Sequence, residues 1–460
     1  MTQPVDNRVS PLPSQNDNAI TDVRGGGKLI NSGIAEIWAC GMLLSFFWEL
    51  PLWYMTNMDR INPRFYDIFF LIGLAIFGSK LFFKKISNPI YRCWRNIVVW
   101  FTICSLFYSS FTDWAIAQHS LLCAIRYIQG LLVLKMLLLL PPKQVIKMLP
   151  GVCWVGLGVI CLYCFFEYMG RIVDPPIKEI EITFGKNIKI YGNLLFGPLS
   201  FSYFHLAQLL PLAFSVIAFN LLFFSKKSIN TVLLSLALLL CWPVLWSGSR
   251  TGLGLLAVCL IMFLWRFWKQ RNLMFWIFAF IILITLMGLH RFAPDLLDDA
   301  ASFNRYEGYS TSDVHSVGAR IQIWETLVNL QHYTYWYWLP FFGAGFNFAP
   351  LDNRYRIGYG IHCSPLYPFE QAGIVGLVLF VIFVVISLRA MWKARRDNPI
   401  AYAGIAYLSA SLICGITGAH NFWREFSTGN LNTFILIVLC LSASHAFEQP
   451  REDDADFTGK

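Results

Sequence analysis

Two segments of the chain carry residue types suited to chemistry within strongly apolar surroundings. In WSGSRTG, Arg250 stands where an apolar helix is expected to begin, and the small residues before it leave backbone N–H groups open for an anion. In GIHCSPL, His362 precedes another apolar run, and its unperturbed pKa of about 6.5 suits a general base near neutral pH. The alternatives are an arginine that reaches for the membrane interface and a purely structural histidine.

Two further arginines are candidates for substrate binding. Arg320 lies in VGARIQIWETLV, where Val317, Ile321 and Trp324 recur at helical spacing and predict an amphipathic helix on the outer membrane surface. Arg320 would then point toward the membrane bundle, unless it makes a cation–π contact with Trp324. Arg126 lies inside the fourth apolar run, where an arginine usually faces a cavity or a partner, and a lipid phosphate is one such target.

Weaker candidates for lining the same cavity lie in the flanking loops. Arg354 and Arg356 belong to a turn-rich basic loop before His362, and His420 and Arg424 lie in GAHNFWREF. The sequence contains no P-loop, no dinucleotide-binding motif and no group of His, Cys and carboxylate residues at metal-binding spacing. We therefore expect neither a metal nor a cofactor.

The composition predicts the kind of element that positions these residues. The chain of 460 residues is 56% hydrophobic and 14% charged, with a mean hydropathy of +0.53, whereas soluble domains carry roughly 25% charged residues. The net charge is +9, but the basic residues punctuate apolar runs and form no water-soluble basic face, which argues against nucleic-acid binding. The predicted fold class is an all-α polytopic integral membrane protein.

Twelve apolar runs are long enough to cross a hydrocarbon core about 30 Å thick. They lie at about 33–55, 65–83, 94–111, 119–140, 145–169, 198–224, 229–246, 250–268, 273–290, 366–388, 400–418 and 428–447. Lys and Arg are abundant in alternate connections, which predicts that both termini are cytoplasmic. The predicted organisation is a tail at 1–32, nine helices in 33–290 with an outer loop at about 170–197, a large helical outer loop at 291–365, three helices in 366–447 and a tail at 448–460.

Three stretches, in this order, resemble the bacterial O-antigen ligase family, which shares a superfamily with O-antigen polymerases and protein O-oligosaccharyltransferases. They are SGSR with Arg250, GARIQIW with Arg320, and GAGFNF followed by IHCSPL and EQAGIVGL around His362. The resemblance implies a GT-C-like fold of about twelve transmembrane helices in a bacterial inner membrane. The large loop between helices nine and ten and the active site would then lie on the periplasmic side.

The resemblance also implies a reaction. The donor would be an O-antigen glycan on undecaprenyl diphosphate and the acceptor a sugar hydroxyl of lipid A–core, with metal-independent transfer and inversion at the anomeric carbon. Arg250, Arg320 and Arg126 would hold the diphosphate, because preorganised arginines stabilise its growing negative charge. His362 would take the proton from the acceptor hydroxyl, and the expected partners are these two substrates and membrane lipids.

Other functions remain open at this point. An O-antigen polymerase would use the same donor with a second lipid-linked glycan as acceptor, and the sequence barely separates it from a ligase. A protein O-oligosaccharyltransferase fits less well, because such enzymes typically carry a large periplasmic region after the membrane helices. A secondary transporter also fits twelve helices with both ends inside, although the chain shows no clear internal symmetry and its polar residues gather on the outer side.

Overall fold

The structure, a computed structural model, describes residues 32–48, 64–110, 114–173, 179–180, 188–189, 203–224, 231–247, 249–268, 339–343, 366–415 and 429–445. The helices of this part of the chain are α1 (Ser32–Ser45), α2 (Phe65–Phe83), α3 (Pro89–Ser109), α4 (Trp114–Leu138), α5 (Pro142–Val173), α6 (Tyr203–Phe224), α7 (Thr231–Leu239), α8 (Pro243–Trp246), α9 (Arg250–Trp268), α10 (Leu339–Phe342), α11 (Tyr367–Ala394), α12 (Ala401–Gly415) and α13 (Gly429–Ser442). Between α5 and α6, the two-residue strands β1 (Glu179–Ile180) and β2 (Ile188–Lys189) pair antiparallel.

Helices occupy eleven of the twelve predicted apolar runs, and the run at 273–290 lies outside the described residues. Six of the described helices, α2, α4, α5, α6, α9 and α11, are long and apolar enough to cross a membrane. The shorter apolar helices include α1, α12 and α13. A polytopic, helical membrane architecture is therefore confirmed, while the count of twelve crossings and the large outer loop stay predictions.

Helix α13 is the centre of the described bundle. It is buried from Leu431 to Ser442, and it packs against α3, α4, α5, α6, α11 and α12. The other long helices surround it in the closed order α1, α5, α6, α9, α12, α11, α3, α4, α2. The rim of this ring exposes apolar side chains such as Val378 and Val385 on α11 and Leu71 on α2, as expected where helices meet lipid.

Two asparagines tie this central helix to its neighbours at the predicted inner side. The side-chain Oδ1 of Asn88 accepts the backbone N–H groups of Ile90 at 3.0 Å and Tyr91 at 3.2 Å, in the first turn of α3. Its Nδ2 donates to the carbonyl of Cys440 at 2.9 Å. Asn398 accepts the N–H of Ile400 at the start of α12 at 3.0 Å and donates to the carbonyl of Leu441 at 2.6 Å. These caps hold the starts of α3 and α12 against the end of α13.

Candidate functional site

Two buried serines build the start of α9. The hydroxyl of Ser247 donates to the carbonyl of Val244 at 2.7 Å and accepts the N–H of Ser249 at 3.3 Å. Ser249 caps the helix, because its own hydroxyl accepts the N–H of Gly252 at 3.1 Å. Arg250 is the first residue of the helix. The hydroxyl of Ser249 thus satisfies one of the N–H groups in the first turn of α9, where the sequence predicts that N–H groups are open for an anion.

Two glycines hold α9 close to its neighbours. A Cβ atom on Gly252 would lie 2.4 Å from the Cβ of Ala207 on α6, and one on Gly254 would lie 2.9 Å from the Sγ of Cys414 on α12. Small residues permit such close approach of helices within a membrane. The backbone position of Arg250 is therefore set by contacts on both sides of α9, whereas its side chain lies outside the described part of the chain.

Helix α11 is broken near its start. Ala372 has φ −139° and ψ 19°, and Gly373 has φ +62° and ψ −160°, in a region that essentially only glycine occupies. The indole N–H of Trp100 on α3 donates to the carbonyl of Ala372 at 3.0 Å. This bond satisfies a backbone group at the point where the regular helical ladder is interrupted.

The short helix α10 packs directly on this break. Gly343, at φ +69°, follows α10, and a Cβ there would lie 2.2 Å from the backbone nitrogen of Ala372. A Cβ on Gly373 would lie 2.1 Å from the carbonyl oxygen of Phe341. The ring of Phe342 stacks on the indole of α3 with centroids 5.9 Å apart. These contacts hold α10 against the start of α11, and three of the predicted site residues lie between the two helices in the sequence.

Gln371 lies in this junction and was missed by the sequence analysis. Its side chain is 1% exposed, and within the part of the chain that the structure describes neither its amide nitrogen nor its amide oxygen has a hydrogen-bond partner. Buried polar groups are ordinarily paired, so each exception calls for a physical explanation. The sequence does show a polar amide at this position, two residues before Gly373 in EQAGIVGL and at the edge of an apolar run.

Arg126 on α4 is paired with α2. Its guanidinium forms an ion pair with Asp67, in which both side chains are about a fifth exposed, and donates to Gln129 Oε1 at 2.9 Å. Asp67 also accepts the amide N–H of Gln129 at 2.8 Å and the backbone N–H of Arg64 at 3.0 Å. An arginine within a membrane requires such a partner. The sequence analysis missed Asp67, although an acidic residue at the start of a nearby apolar run was the signal.

The ring order separates Arg126 from the start of α9. Helix α4 packs on α2, α3 and α13, whereas α9 packs on α6, α8 and α12. The role of Arg126 in diphosphate binding stays a prediction. The other predicted site residues lie outside the described part of the chain, namely Arg320, Arg354, Arg356, His362, His420 and Arg424.

The described residues include no group of three or more His, Cys, Asp or Glu side chains arranged for a metal ion. Cys161 and Cys164 form a C-x-x-C pair on α5, and neither takes part in a disulfide among the described residues. Cys164 is buried, and the Sγ of Cys161 accepts the indole N–H of Trp242 at 2.9 Å. These contacts indicate that the pair contributes to helix packing. The expectation of a metal-independent reaction stays a prediction.

One match to a known family includes both the start of α9 and the break in α11. Residues 234–381 match the family model described as O-antigen ligase. This match supports membership of the O-antigen ligase and polymerase superfamily. The match confirms the resemblance carried by the three sequence stretches, and it supports a function of the O-antigen ligase or polymerase class. No curated protein matches the chain.

The matched segment covers about a third of the chain and divides the candidate residues into two groups. It runs from α7 into α11 and includes Arg250, Arg320, His362 and the orphaned amide of Gln371. The segment also contains Arg354 and Arg356, whereas Arg126, His420 and Arg424 lie outside it.

Proposed function

We propose that the protein is an O-antigen ligase that transfers a glycan from undecaprenyl diphosphate to a sugar hydroxyl of lipid A–core at the periplasmic face of a bacterial inner membrane. One observation carries the proposal: a single family match spans all three sequence stretches that contain Arg250, Arg320 and His362. The geometry of the two described ends of this segment supports it. Glycine contacts fix the backbone of α9 near Arg250 and the backbone of α11 at its break.

The proposed chemistry assigns one role to each residue type. The acceptor hydroxyl oxygen attacks the anomeric carbon from the side opposite the diphosphate, so that one C–O bond forms as the other breaks and the configuration inverts. His362 takes the hydroxyl proton as general base. The bond electrons leave with the diphosphate, whose charge Arg250 and Arg320 stabilise through bidentate hydrogen bonds. The pairing of Arg126 with Asp67 favours a structural contribution to the bundle over direct contact with the substrate.

A polymerase is the second candidate, because the matched family model belongs to a superfamily that contains both activities. Donor, leaving group and base would be the same, and only the acceptor would differ. The family match favours either transferase over a transporter, because the matched family model is described as O-antigen ligase. The acceptor is therefore what the experiments must determine.

Paired histidine variants test the proposed base in membranes that contain a lipid-linked O-antigen and lipid A–core. His362→Ala should abolish glycan transfer while the protein remains in the membrane at the wild-type level. His445→Ala is the matched control, because His445 is exposed beyond the end of α13 and contacts Asp397 at 2.8 Å, away from the matched segment. Wild-type transfer by the His362 variant would refute the base assignment.

Paired arginine variants test the diphosphate assignment. Arg250→Lys keeps the charge but loses the planar fork that binds two phosphate oxygens, so transfer should fall by about ten- to a hundredfold. Arg395→Lys is the control, because the guanidinium of Arg395 lies over the ring of Trp392 at the opposite end of α11. If Arg250→Lys transfers glycan at the same rate as Arg395→Lys and the wild-type protein, Arg250 does not bind the diphosphate.

A further inference from the structure

Gln371 is a buried polar side chain whose amide has no hydrogen-bond partner in the part of the chain that the structure describes. It lies in the first turns of α11, directly before the break at Ala372 and Gly373. The nearby indole N–H of Trp100 donates to the carbonyl of Ala372 at 3.0 Å and so satisfies this backbone group at the break. The amide of Gln371 remains without a hydrogen-bond partner among the described residues, at 1% exposure.

Such an arrangement costs stability. Burial of an amide without hydrogen bonds is unfavourable by about 1–3 kcal/mol in proteins, and an apolar side chain of the same shape would avoid this penalty. Gln371 is the first residue of the candidate membrane span in α11, and an unpaired polar group buried in such a helix is a functional candidate. The position is also one that the backbone constrains closely, because a Cβ on Gly343 would lie 2.5 Å from the carbonyl oxygen of Gln371.

The chemistry of the side chain narrows the class of ligand. A neutral amide offers two donors and one acceptor, which matches the donor and acceptor of a sugar hydroxyl. A diphosphate would instead select arginine, which is charged and bidentate. Gln371 follows the proposed base His362 by nine residues in the sequence and lies within the matched segment.

We propose that Gln371 is a substrate-positioning residue whose amide binds a hydroxyl group of a substrate sugar. The inference rests on the proposed function, and it adds a residue that recognises the glycan to residues that act on the diphosphate and the proton. The hydroxyl belongs either to the lipid-linked donor or to the core acceptor. Bound substrate would supply the hydrogen bonds that the amide lacks in the described structure.

The test uses Gln371→Met, which keeps the shape of the side chain and removes its polar atoms. Gln144→Met is the matched control, because Gln144 is half-buried in the first turn of α5 at the predicted inner side. Both variants and the wild-type protein are purified in detergent, and thermal unfolding is measured first. Initial transfer rates are then measured while the lipid-linked glycan and the lipid A–core are varied separately.

We expect Gln371→Met to unfold at or above the wild-type temperature, since an unpaired amide has been removed. Its kcat/KM should nevertheless fall by about ten- to a hundredfold, because a substrate hydroxyl loses its partner. A fall in the donor titration assigns the hydroxyl to the lipid-linked glycan, and a fall in the acceptor titration assigns it to the core. Gln144→Met should match the wild-type protein in both measurements.

Two results would overturn the inference while leaving the proposed function intact. One is a wild-type kcat/KM for both substrates in Gln371→Met. The other is a loss of activity accompanied by a clearly lower unfolding temperature, which would indicate a structural role. Absence of transfer by the wild-type protein would instead overturn the proposed function, and the sugar-binding role with it.

Discussion

Replacement of Gly373 by alanine should open the contact between α10 and α11. A residue other than glycine at φ +62° and ψ −160° is strained by about 1–3 kcal/mol. The new Cβ would lie 2.1 Å from the carbonyl oxygen of Phe341, far inside the usual contact distance of about 3.5–4.0 Å. Because the clash is with backbone, α10 must move and Phe342 loses its stacking on Trp100, which contributes about 0.5–1.5 kcal/mol. The total destabilisation should be about 2–4 kcal/mol.

Thermal unfolding can be followed with a thiol-reactive fluorescent dye. Cys104 lies on α3 one turn after Trp100 and is fully buried, so its thiol should react with the dye when the contact between α10 and α11 opens. The unfolding temperature of Gly373→Ala should fall by about 5 °C or more, and glycan transfer should fall with it. Gly158→Ala on α5 is the control, because its Cβ meets open space and alanine favours a helix. If both variants unfold at the same temperature and transfer glycan at the wild-type rate, the close contact at the break does not exist as described.

Two further predictions concern helix packing away from the break. Asp67→Asn should lower the free energy of unfolding by about 1–3 kcal/mol, because Arg126 loses the charge of Asp67 in a site that is only about a fifth exposed. In thermal unfolding, Arg126→Gln should add little further destabilisation when Asp67→Asn is already present. Full additivity of the two substitutions would contradict the pairing. Gly252→Ala should destabilise the protein, because the new Cβ would lie 2.4 Å from the Cβ of Ala207. Adding Ala207→Gly should restore part of the lost unfolding temperature. If the double variant unfolds at the same temperature as Gly252→Ala, α6 and α9 do not meet at these residues.

The positions of the helices could be predicted from hydropathy. A helix in a membrane is apolar on both its lipid-exposed and its buried face, so it appears in the sequence as a continuous apolar run. Helix α1 ends at Ser45, well before the end of the run predicted at 33–55, whose second half contains Glu49 and Pro51. The run at 229–246 is divided into α7 and α8, since Pro243 lacks the N–H that a continuous helix needs. Hydropathy averages over such local interruptions and therefore places a helix more reliably than it places a break.

The candidate site was less predictable, because its side chains are defined by partners that are distant in sequence. The sequence indicated that Arg126 needs a partner, but only the packing of α4 on α2 identifies Asp67. The break at Gly373 depends on α10, which is 25 residues or more upstream of α11 in the chain. The orphaned amide of Gln371 is a property of the folded environment, and residue type alone does not reveal it.

The most direct test of the central claim is a transfer assay with the purified wild-type protein. Undecaprenyl diphosphate–linked glycan and lipid A–core are supplied with a chelator and without nucleotide, and the products are separated on a gel stained for lipopolysaccharide. The account predicts a ladder of glycan on core that is absent with His362→Ala and present with His445→Ala. Longer glycans on the lipid carrier without a ladder on core would identify a polymerase, and the absence of any covalent product would contradict a transferase altogether.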